Sequence, residues 1–367
     1  MSSANPALAQ FIRSIPLFSL VDDADLNDVL RLFRPVELVA GDVLFGEGDP
    51  GKAMWILSDT AEVSIATTAG QQRPVAVAYA RKGDVVGEMA LVDDGPRSGT
   101  AIVTQTGPAH QIDADEFHAM RANFTPAAFK VLKKIALELC ARLRSTNERI
   151  VPSGQAGVQT PPLPQGPRAD GELIERYPAF KSLPAVVKLA LAQKLEVLRV
   201  EEMTPIFAEG EKADGAYFIV EGEVSVGRNG KTLANLPAGT MFGVVACIDA
   251  GFRSASCLTT GPATLLKMTD RHFDQLFSAG HRFAFQMVDL VARQLVQHVR
   301  EANQMLPLPG QKAGVAGLSK PVEKMLPAEA SEQDLDVIST EIEVEAALPI
   351  EMELDLADIA PESERLG

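Results

Sequence analysis

A carboxylate, a guanidinium and a glycine turn lie close together in the stretch VVGEMALVDDGPRSGTA, from Val85 to Ala101. Gly87 allows the backbone to turn and to approach a ligand closely, because no side chain intervenes. The EMALV segment that follows has helix-forming character. A one-turn helix there would direct backbone N–H groups, from about Ala90 and Leu91, toward an anion. The stretch therefore predicts an anion-binding site.

Arg97 and Glu88 have complementary expected roles in this site. Arg97 follows Pro96, which stiffens the turn and favours bidentate contact between the guanidinium and phosphate oxygens. Glu88 would repel a phosphate that it faced, but its carboxylate can accept hydrogen bonds from sugar hydroxyls. Together they predict a site for an anionic sugar phosphate. The alternative for Arg97 is an ordinary surface salt bridge to Asp93 or Asp94.

The chain contains two copies of one sequence pattern. VLFGEGD in the first half recurs as PIFAEGE at an offset of 162 residues. VGEMALVDDGPRSGT recurs as FGVVACIDAGFRSAS at an offset of 156, which aligns Gly87 with Gly243 and Arg97 with Arg253. We therefore expect two structurally related modules.

The second copy departs from the first at the predicted site. Val244 occupies the position of Glu88 and cannot accept a hydrogen bond from a sugar hydroxyl. Gly243, Arg253 and Ser254 remain as candidates for a weak second anion site. The preferred interpretation is a degenerate copy that is structural or binds something else.

Each copy combines short alternating segments, glycine turns and a terminal helix. The runs VSIAT, PVAVAYA and YFIVEGEVSVG have the character of β-strands. Amphipathic helices are predicted from Pro126 to Ile150 and from His281 to Asn303. The expected fold is mainly β with flanking α: two β-barrel or jelly-roll modules, each ending in a long helix.

Composition divides the chain into four expected segments. These are a first module at residues 1–150, a Pro- and Gly-rich linker at 151–172, a second module at 173–306 and an acidic, disordered tail at 307–367. From Lys320 onward the chain holds 14 acidic and three basic residues, which is most of the net charge of −15. The segment from Glu341 to Ala360 alternates acidic and aliphatic residues, as a strand that docks on a partner protein would. A purely solubilising tail is the alternative.

Composition also excludes several classes of function. No apolar run approaches the roughly 18 residues that span a bilayer, and the first residues lack a signal-peptide pattern, so we expect a cytoplasmic protein without membrane insertion. The negative net charge and the absence of a following helix-turn-helix argue against DNA binding. The three cysteines and five histidines show no ligand spacing, so we expect no metal and no cofactor. Without a catalytic triad or an NTPase phosphate loop, we expect no enzyme.

The first copy resembles the phosphate-binding cassette of the cyclic nucleotide-binding domain family, which includes catabolite activators, protein kinase A regulatory subunits and cyclic-nucleotide-gated channels. The family pattern is roughly F-G-E-[LMI]-A-L, a short spacer and P-R-[STA]-x-[TS], and Val86 stands where phenylalanine is usual. The matching residues are Gly87, Glu88, Met89, Ala90, Leu91, Pro96, Arg97, Ser98 and Thr100.

The resemblance implies roles for these residues. Glu88 would bind the ribose 2′-hydroxyl, and Arg97 would bind the exocyclic oxygens of the cyclic phosphate. Gly87, Ala90 and Ser98 would line the phosphate. A residue of the C-terminal helix or of a partner chain would cap the base.

The implied function is that of a receptor for a cyclic nucleotide, with cAMP preferred and cGMP as the other candidate. It would bind the nucleotide in the first module and signal through protein contacts. An unknown protein partner is expected at the long helices or at the acidic tail, and the helices are candidates for forming a homodimer. The alternative is a ligand-independent scaffold that uses degenerate modules and an acidic partner-binding tail.

Overall fold

The computed structural model of the chain describes residues 6–68, 75–152, 160–181, 183–278 and 282–305. The acidic tail predicted at residues 307–367 and residues 153–159 of the predicted linker lie outside these ranges. Their assignments stay predictions.

The first module contains two four-stranded antiparallel sheets. Its strands are β1 Arg34–Leu38, β2 Val43–Phe45, β3 Ala53–Leu57, β4 Glu62–Thr67, β5 Val75–Ala80, β6 Val85–Val86, β7 Thr100–Gln105 and β8 Gly107–Asp113. One sheet has the order β1-β8-β3-β6 and the other β2-β7-β4-β5. Apolar side chains of both sheets form one core, which includes Leu57 of β3 and Val63 of β4.

The second module repeats this arrangement. Its strands are β9 Leu195–Val200, β10 Pro205–Phe207, β11 Gly215–Glu221, β12 Glu223–Arg228, β13 Lys231–Pro237, β14 Met241–Phe242, β15 Ser256–Thr259 and β16 Ala263–Thr269. The sheet orders are β9-β16-β11-β14 and β10-β15-β12-β13. Each strand of the first module thus has a counterpart with the same neighbours in the second, and the internal repeat is confirmed.

Both modules are jelly-roll-like sandwiches with flanking helices, as one of the two predicted arrangements required. The closed-barrel alternative is wrong, because the eight strands of each module separate into two four-stranded sheets. Alternating apolar residues fit both arrangements, because each strand buries one face in a barrel and in a sandwich. Each sheet needs only one buried face, and two sheets stacked face to face supply it without ring closure.

The helices connect the sheets and cover their ends. They are α1 Pro6–Ser14, α2 Leu26–Leu30, α3 Ala114–Ala122, α4 Pro126–Ile150, α5 Gly171–Arg176, α6 Ala185–Lys194, α7 Val244–Ile248, α8 Asp270–Ser278 and α9 Arg282–Gln304. The bounds of α4 are those predicted from the sequence. Pro126 fits the first turn of α4 because that position needs no N–H donor. Within the described residues, no helix is long and apolar enough to cross a bilayer.

The long helices α4 and α9 pack against each other and join the two modules. Their apolar residues, among them Ile135 and Leu139 of α4 and Val291 and Leu295 of α9, belong to one buried cluster. A fully buried aliphatic side chain contributes on the order of 2 kcal/mol. The helix pair is therefore a shared core between the modules.

Candidate functional site

The predicted anion site forms around a left-handed glycine. Gly87 has a φ of 85° and precedes a 3-10 turn, Glu88–Leu91. A Cβ added at Gly87 would lie 2.5 Å from Nη1 of Arg97, so this position requires glycine for both backbone conformation and space.

The turn exposes different amides from those predicted. The Ala90 N–H donates to the Gly87 carbonyl at 3.2 Å, so Ala90 and Leu91 lie inside the pattern of 3-10 hydrogen bonds. The amides that a 3-10 turn leaves without an internal acceptor belong to Glu88 and Met89. The sequence prediction of free N–H groups at Ala90 and Leu91 is corrected accordingly.

Arg97 is buried beside this turn and, among the described residues, forms no ion pair. Its Nη1 donates to the Gly87 carbonyl at 3.0 Å and its Nη2 to the Ala53 carbonyl at 2.5 Å. The guanidinium carbon lies 4.1 Å from the centre of the Phe45 ring, and only 8% of the residue is exposed. The Nε atom has no hydrogen-bond partner within the described part of the chain. Desolvation lowers the pKa of Arg97 from its ordinary value.

The surface salt bridge considered for Arg97 does not form. Asp93 instead contacts Arg300 of α9 through two ion-pair contacts of 2.6 and 2.7 Å. Asp94 is exposed and lies beside His118, at 3.5 Å. Arg97 is therefore a buried cation that forms no direct ion pair among the described residues, although the charges of Glu88 and Asp49 favour its charged form.

Glu88 faces the terminal helix of its own module. The residue is buried, and its Oε1 lies 2.8 Å from an Nη2 atom of Arg142 in α4. Glu138 lies one turn earlier on α4, and desolvation, together with the charge of Glu88, raises the pKa of Glu138. Any group that binds Glu88 must therefore share this carboxylate with α4.

The other predicted site residues divide between core and rim. Met89 and Leu91 are buried in the core shared by the two modules, so their side chains contribute packing. Ala90 is also buried, whereas Ser98 is exposed at the rim. The Thr100 hydroxyl accepts a backbone N–H from the turn after β2 at 3.0 Å. The structure thus brings these residues around one turn, and their roles toward a nucleotide stay predictions.

The second module has the same framework with a different charge balance. Gly243 has a φ of 76°, and Arg253 donates to its carbonyl at 2.7 Å. The guanidinium carbon of Arg253 lies 4.0 Å from the centre of the Phe207 ring. Its Nη2 also lies 2.6 Å from Oδ1 of Asp214, a position that aligns with Lys52 in the first module. Arg253 therefore has the carboxylate partner that Arg97 lacks.

Asp214 is held in its charged form. Burial raises the pKa of Asp214, but Lys267 at 2.6 Å, Arg253 and the Tyr217 hydroxyl together lower it below the ordinary value. The weak second anion site at Gly243, Arg253 and Ser254 stays a prediction, and any anion there would compete with this carboxylate.

Two equivalent ion pairs link the modules, and each joins the long helix of one module to the glycine turn region of the other. Arg300 of α9 contacts Asp93 beside the first site, and Arg144 of α4 contacts Asp249 beside the second, at 2.5 and 2.9 Å. Both arginines and both aspartates are separated by the repeat offset of 156 residues. The interface therefore has the self-complementary form of a twofold dimer within one chain. Sequence reasoning missed these residues, although the shared offset was a usable signal.

One group of potential metal ligands lies near the first site. Ligand atoms of Asp94, Asp115 and His118 are within 4.8 Å of one another. Both aspartates are exposed, and exposed acidic side chains commonly cluster without an ion. We assign no metal to this group.

Both sites lie in regions of the chain that match a known protein family. The family model described as "Cyclic nucleotide-binding domain" matches residues 35–124 and residues 197–279. Each matched region contains one of the two glycine turns and its arginine. The chain therefore carries two cyclic nucleotide-binding domains in tandem.

Similar proteins include regulatory and transcriptional ones. The chain is 24% identical to a cAMP-dependent protein kinase type II regulatory subunit of Drosophila melanogaster over 79% of its own length and 67% of that protein. It is 19% identical to the cAMP-bound regulatory domain of Toxoplasma gondii PKA, over 80% of this chain and 96% of that one, with a TM-score of 0.30. The N-terminal domain of a Streptomyces coelicolor transcriptional regulator is 27% identical over 38% of this chain and 95% of that one, with a TM-score of 0.31.

Proposed function

We propose that the first of the two cyclic nucleotide-binding domains is a receptor site for a cyclic nucleotide, with cAMP preferred over cGMP. The observation that carries this proposal is the buried Arg97 guanidinium without an ion-pair partner among the described residues. Burial of a charge that has no direct ion-pair contact is unfavourable, so a bound anion would stabilise this site. A phosphate would supply the direct anionic contact that Arg97 lacks among the described residues.

The position of Glu88 favours a sugar phosphate over a simple phosphate. Glu88 lies on the same turn as Gly87 and offers a carboxylate that can accept a ribose hydroxyl. A cyclic nucleotide presents a single negative charge and an adjacent 2′-hydroxyl. It would satisfy Arg97 and Glu88 together.

The contact between Glu88 and Arg142 supplies a route for signalling. A ribose hydroxyl that binds Glu88 would compete with Arg142 of α4 for this carboxylate. A ligand shifts a conformational equilibrium by its differential affinity for the two states. Nucleotide binding would therefore change how α4 lies against the first domain and, through α9, against the second.

The output would be a regulatory contact with another protein. Family membership and the similarity to a kinase regulatory subunit support a non-catalytic role. We assign the nucleotide-binding domain to residues 1–150 and the second domain to residues 173–306. The partner protein would contact the long helices or the acidic tail.

Calorimetric titration of the full chain with cAMP and with cGMP tests this function. We expect one site per chain. Arg97→Ala should weaken binding by roughly a hundredfold, about 3 kcal/mol, because the phosphate loses its buried charged partner. Glu88→Gln should weaken it less, by about 1 to 2 kcal/mol.

The matched control is Arg253→Ala in the second domain, with folding checked by circular dichroism. It should leave the affinity of the first domain nearly unchanged. Unchanged affinity in both Arg97→Ala and Glu88→Gln would overturn the proposal. No heat with either nucleotide would favour the ligand-independent scaffold instead.

A further inference from the structure

We propose that the second domain binds a small, uncharged and largely apolar molecule in a cavity between its strands and the helices α4 and α9. The cavity has a volume of about 110 Å³. It lies at the glycine turn of the second domain, so this inference does not depend on nucleotide binding in the first.

The cavity walls are mainly aliphatic and come from both halves of the chain. Leu233 and Leu236 of β13 form part of one side. Leu143 and Ile150 of α4 and Met305, after the end of α9, form part of the other. Binding pockets for small molecules are typically concave, mostly apolar and provided with a few polar groups. The walls therefore favour an apolar occupant.

Two positions that are charged in the first domain are uncharged in this cavity. Val244 replaces Glu88, and His298 replaces Arg142, both at the repeat offset of 156 residues. Burial lowers the pKa of His298 to about 4, so the imidazole is neutral at pH 7. The cavity therefore lacks the carboxylate and the helix cation that stand at the first site.

Arg253 also lines the cavity, but its charge is compensated by its ion pair with Asp214. Glu301 lines the cavity as an exposed acidic residue, so it would repel an anion that approached. A phosphate or carboxylate would thus meet a cation that is already paired and the negative charge of Glu301. These groups argue against an anionic occupant.

A few neutral polar groups remain in the lining. His298 offers one donor and one acceptor in its neutral form, and Asn147 and Ser254 also line the cavity. An apolar cavity of about 150 Å³ accepts benzene. The cavity here is smaller, at about 110 Å³, so its occupant is at most a single six-membered ring. The occupant we infer is an uncharged ring compound with at most one or two polar atoms.

Fluorine NMR titration of the full chain with three matched probes tests the site at pH 7. The probes are fluorobenzene, 4-fluorophenol and the anionic 4-fluorobenzoate. We expect saturable binding of the two uncharged probes and at least about tenfold weaker binding of 4-fluorobenzoate, because its charge would be desolvated without a partner.

Ala234→Phe is the variant that fills the cavity. Ala234 lies on β13 opposite Val226 and lines the cavity, and phenylalanine is favourable in a strand. It should weaken both uncharged probes by at least about tenfold, because the new ring occupies their space. Ala234→Leu should weaken them less and serves as a second variant if Ala234→Phe does not fold.

The matched control is Ala78→Phe, because Ala78 lies opposite Ile65 in β4 and β5 as Ala234 lies opposite Val226 in the second domain. It should leave the affinity for fluorobenzene within about twofold, since the change is in the other module. Three results would overturn the proposal. They are no saturable binding of either uncharged probe, equal or tighter binding of 4-fluorobenzoate, and undiminished binding of the uncharged probes in both Ala234→Phe and Ala234→Leu.

Discussion

The two domains share one backbone framework and differ in charge. In both, an arginine lies above a phenylalanine ring and donates to the carbonyl of a left-handed glycine. In the second domain, Asp214 pairs with the arginine, whereas Lys52 stands at the aligned position of the first. The arginine is thus part of the fold in both domains. What differs is whether the chain itself supplies the opposing anion.

The largest expected effect comes from transferring this carboxylate. Lys52→Asp would place an acid at the position from which Asp214 reaches Arg253. The new carboxylate should pair with Arg97 and repel a phosphate, which would weaken cAMP binding by roughly a hundredfold. Calorimetric titration of the variant measures the change.

Lys52→Ala is the control, because it removes the lysine without adding an acid. Lys52 is exposed, so we expect at most about a fivefold loss of cAMP affinity from screened long-range charge. If Lys52→Asp bound cAMP as tightly as the unmodified chain, the carboxylate would not be the difference between the domains.

A smaller effect should distinguish the domains by pH. Burial lowers the pKa of His298 to about 4, against about 6.5 in the unfolded chain. The unfolded state therefore binds more protons between these values. The contribution of His298 to stability is complete above pH 6.5 and decreases as the pH falls toward 4, by about 2 kcal/mol between pH 7 and pH 5.

Denaturant unfolding at several pH values, with and without His298→Gln, isolates this contribution. Between pH 7 and pH 5, the unfolding free energy of the variant should fall by about 2 kcal/mol less than that of the unmodified chain. His110→Gln is the control in the first domain. It should retain the decrease in unfolding free energy that is due to His298. Identical pH profiles for the unmodified chain and His298→Gln would show that the imidazole is solvated in the folded protein.

The smallest expected effect concerns the exchanged ion pairs. Arg144→Ala and Arg300→Ala should each lower the free energy of unfolding by about 1 kcal/mol, because each removes a partly buried bidentate contact. Because the two pairs are equivalent, their effects should be similar. Urea unfolding measures both, and a large effect for one with none for the other would contradict the twofold relation.

Much of the fold could be predicted because it depends on local patterns. The alternating strands, the glycine turns and the apolar stripe of Pro126–Ile150 are visible in short windows of sequence. The first site could be located for the same reason, since Gly87, Glu88 and Arg97 lie within eleven consecutive residues. Local spacing fixed their common turn.

The charge balance of the sites could not be predicted in this way. The partners of Arg253 and Glu88 are Asp214 and Arg142, which are 39 and 54 positions away in the sequence. Their approach depends on how strands and helices pack in three dimensions. The contacts that Arg144 and Arg300 make with the opposite domain likewise depend on how α4 and α9 pack against each other. No local sequence pattern predicts that packing.

The helix pair α4 and α9 has a consequence for assembly. In a homodimer built on such contacts, the two helices would separate on dilution, and both subunits would carry the same site. Here the helices belong to one chain, so their encounter is intramolecular and their effective concentration does not fall with the protein concentration. The covalent connection also lets each half change independently, so one half can keep an arginine without an ion-pair contact while the other pairs the equivalent arginine with a carboxylate of its own.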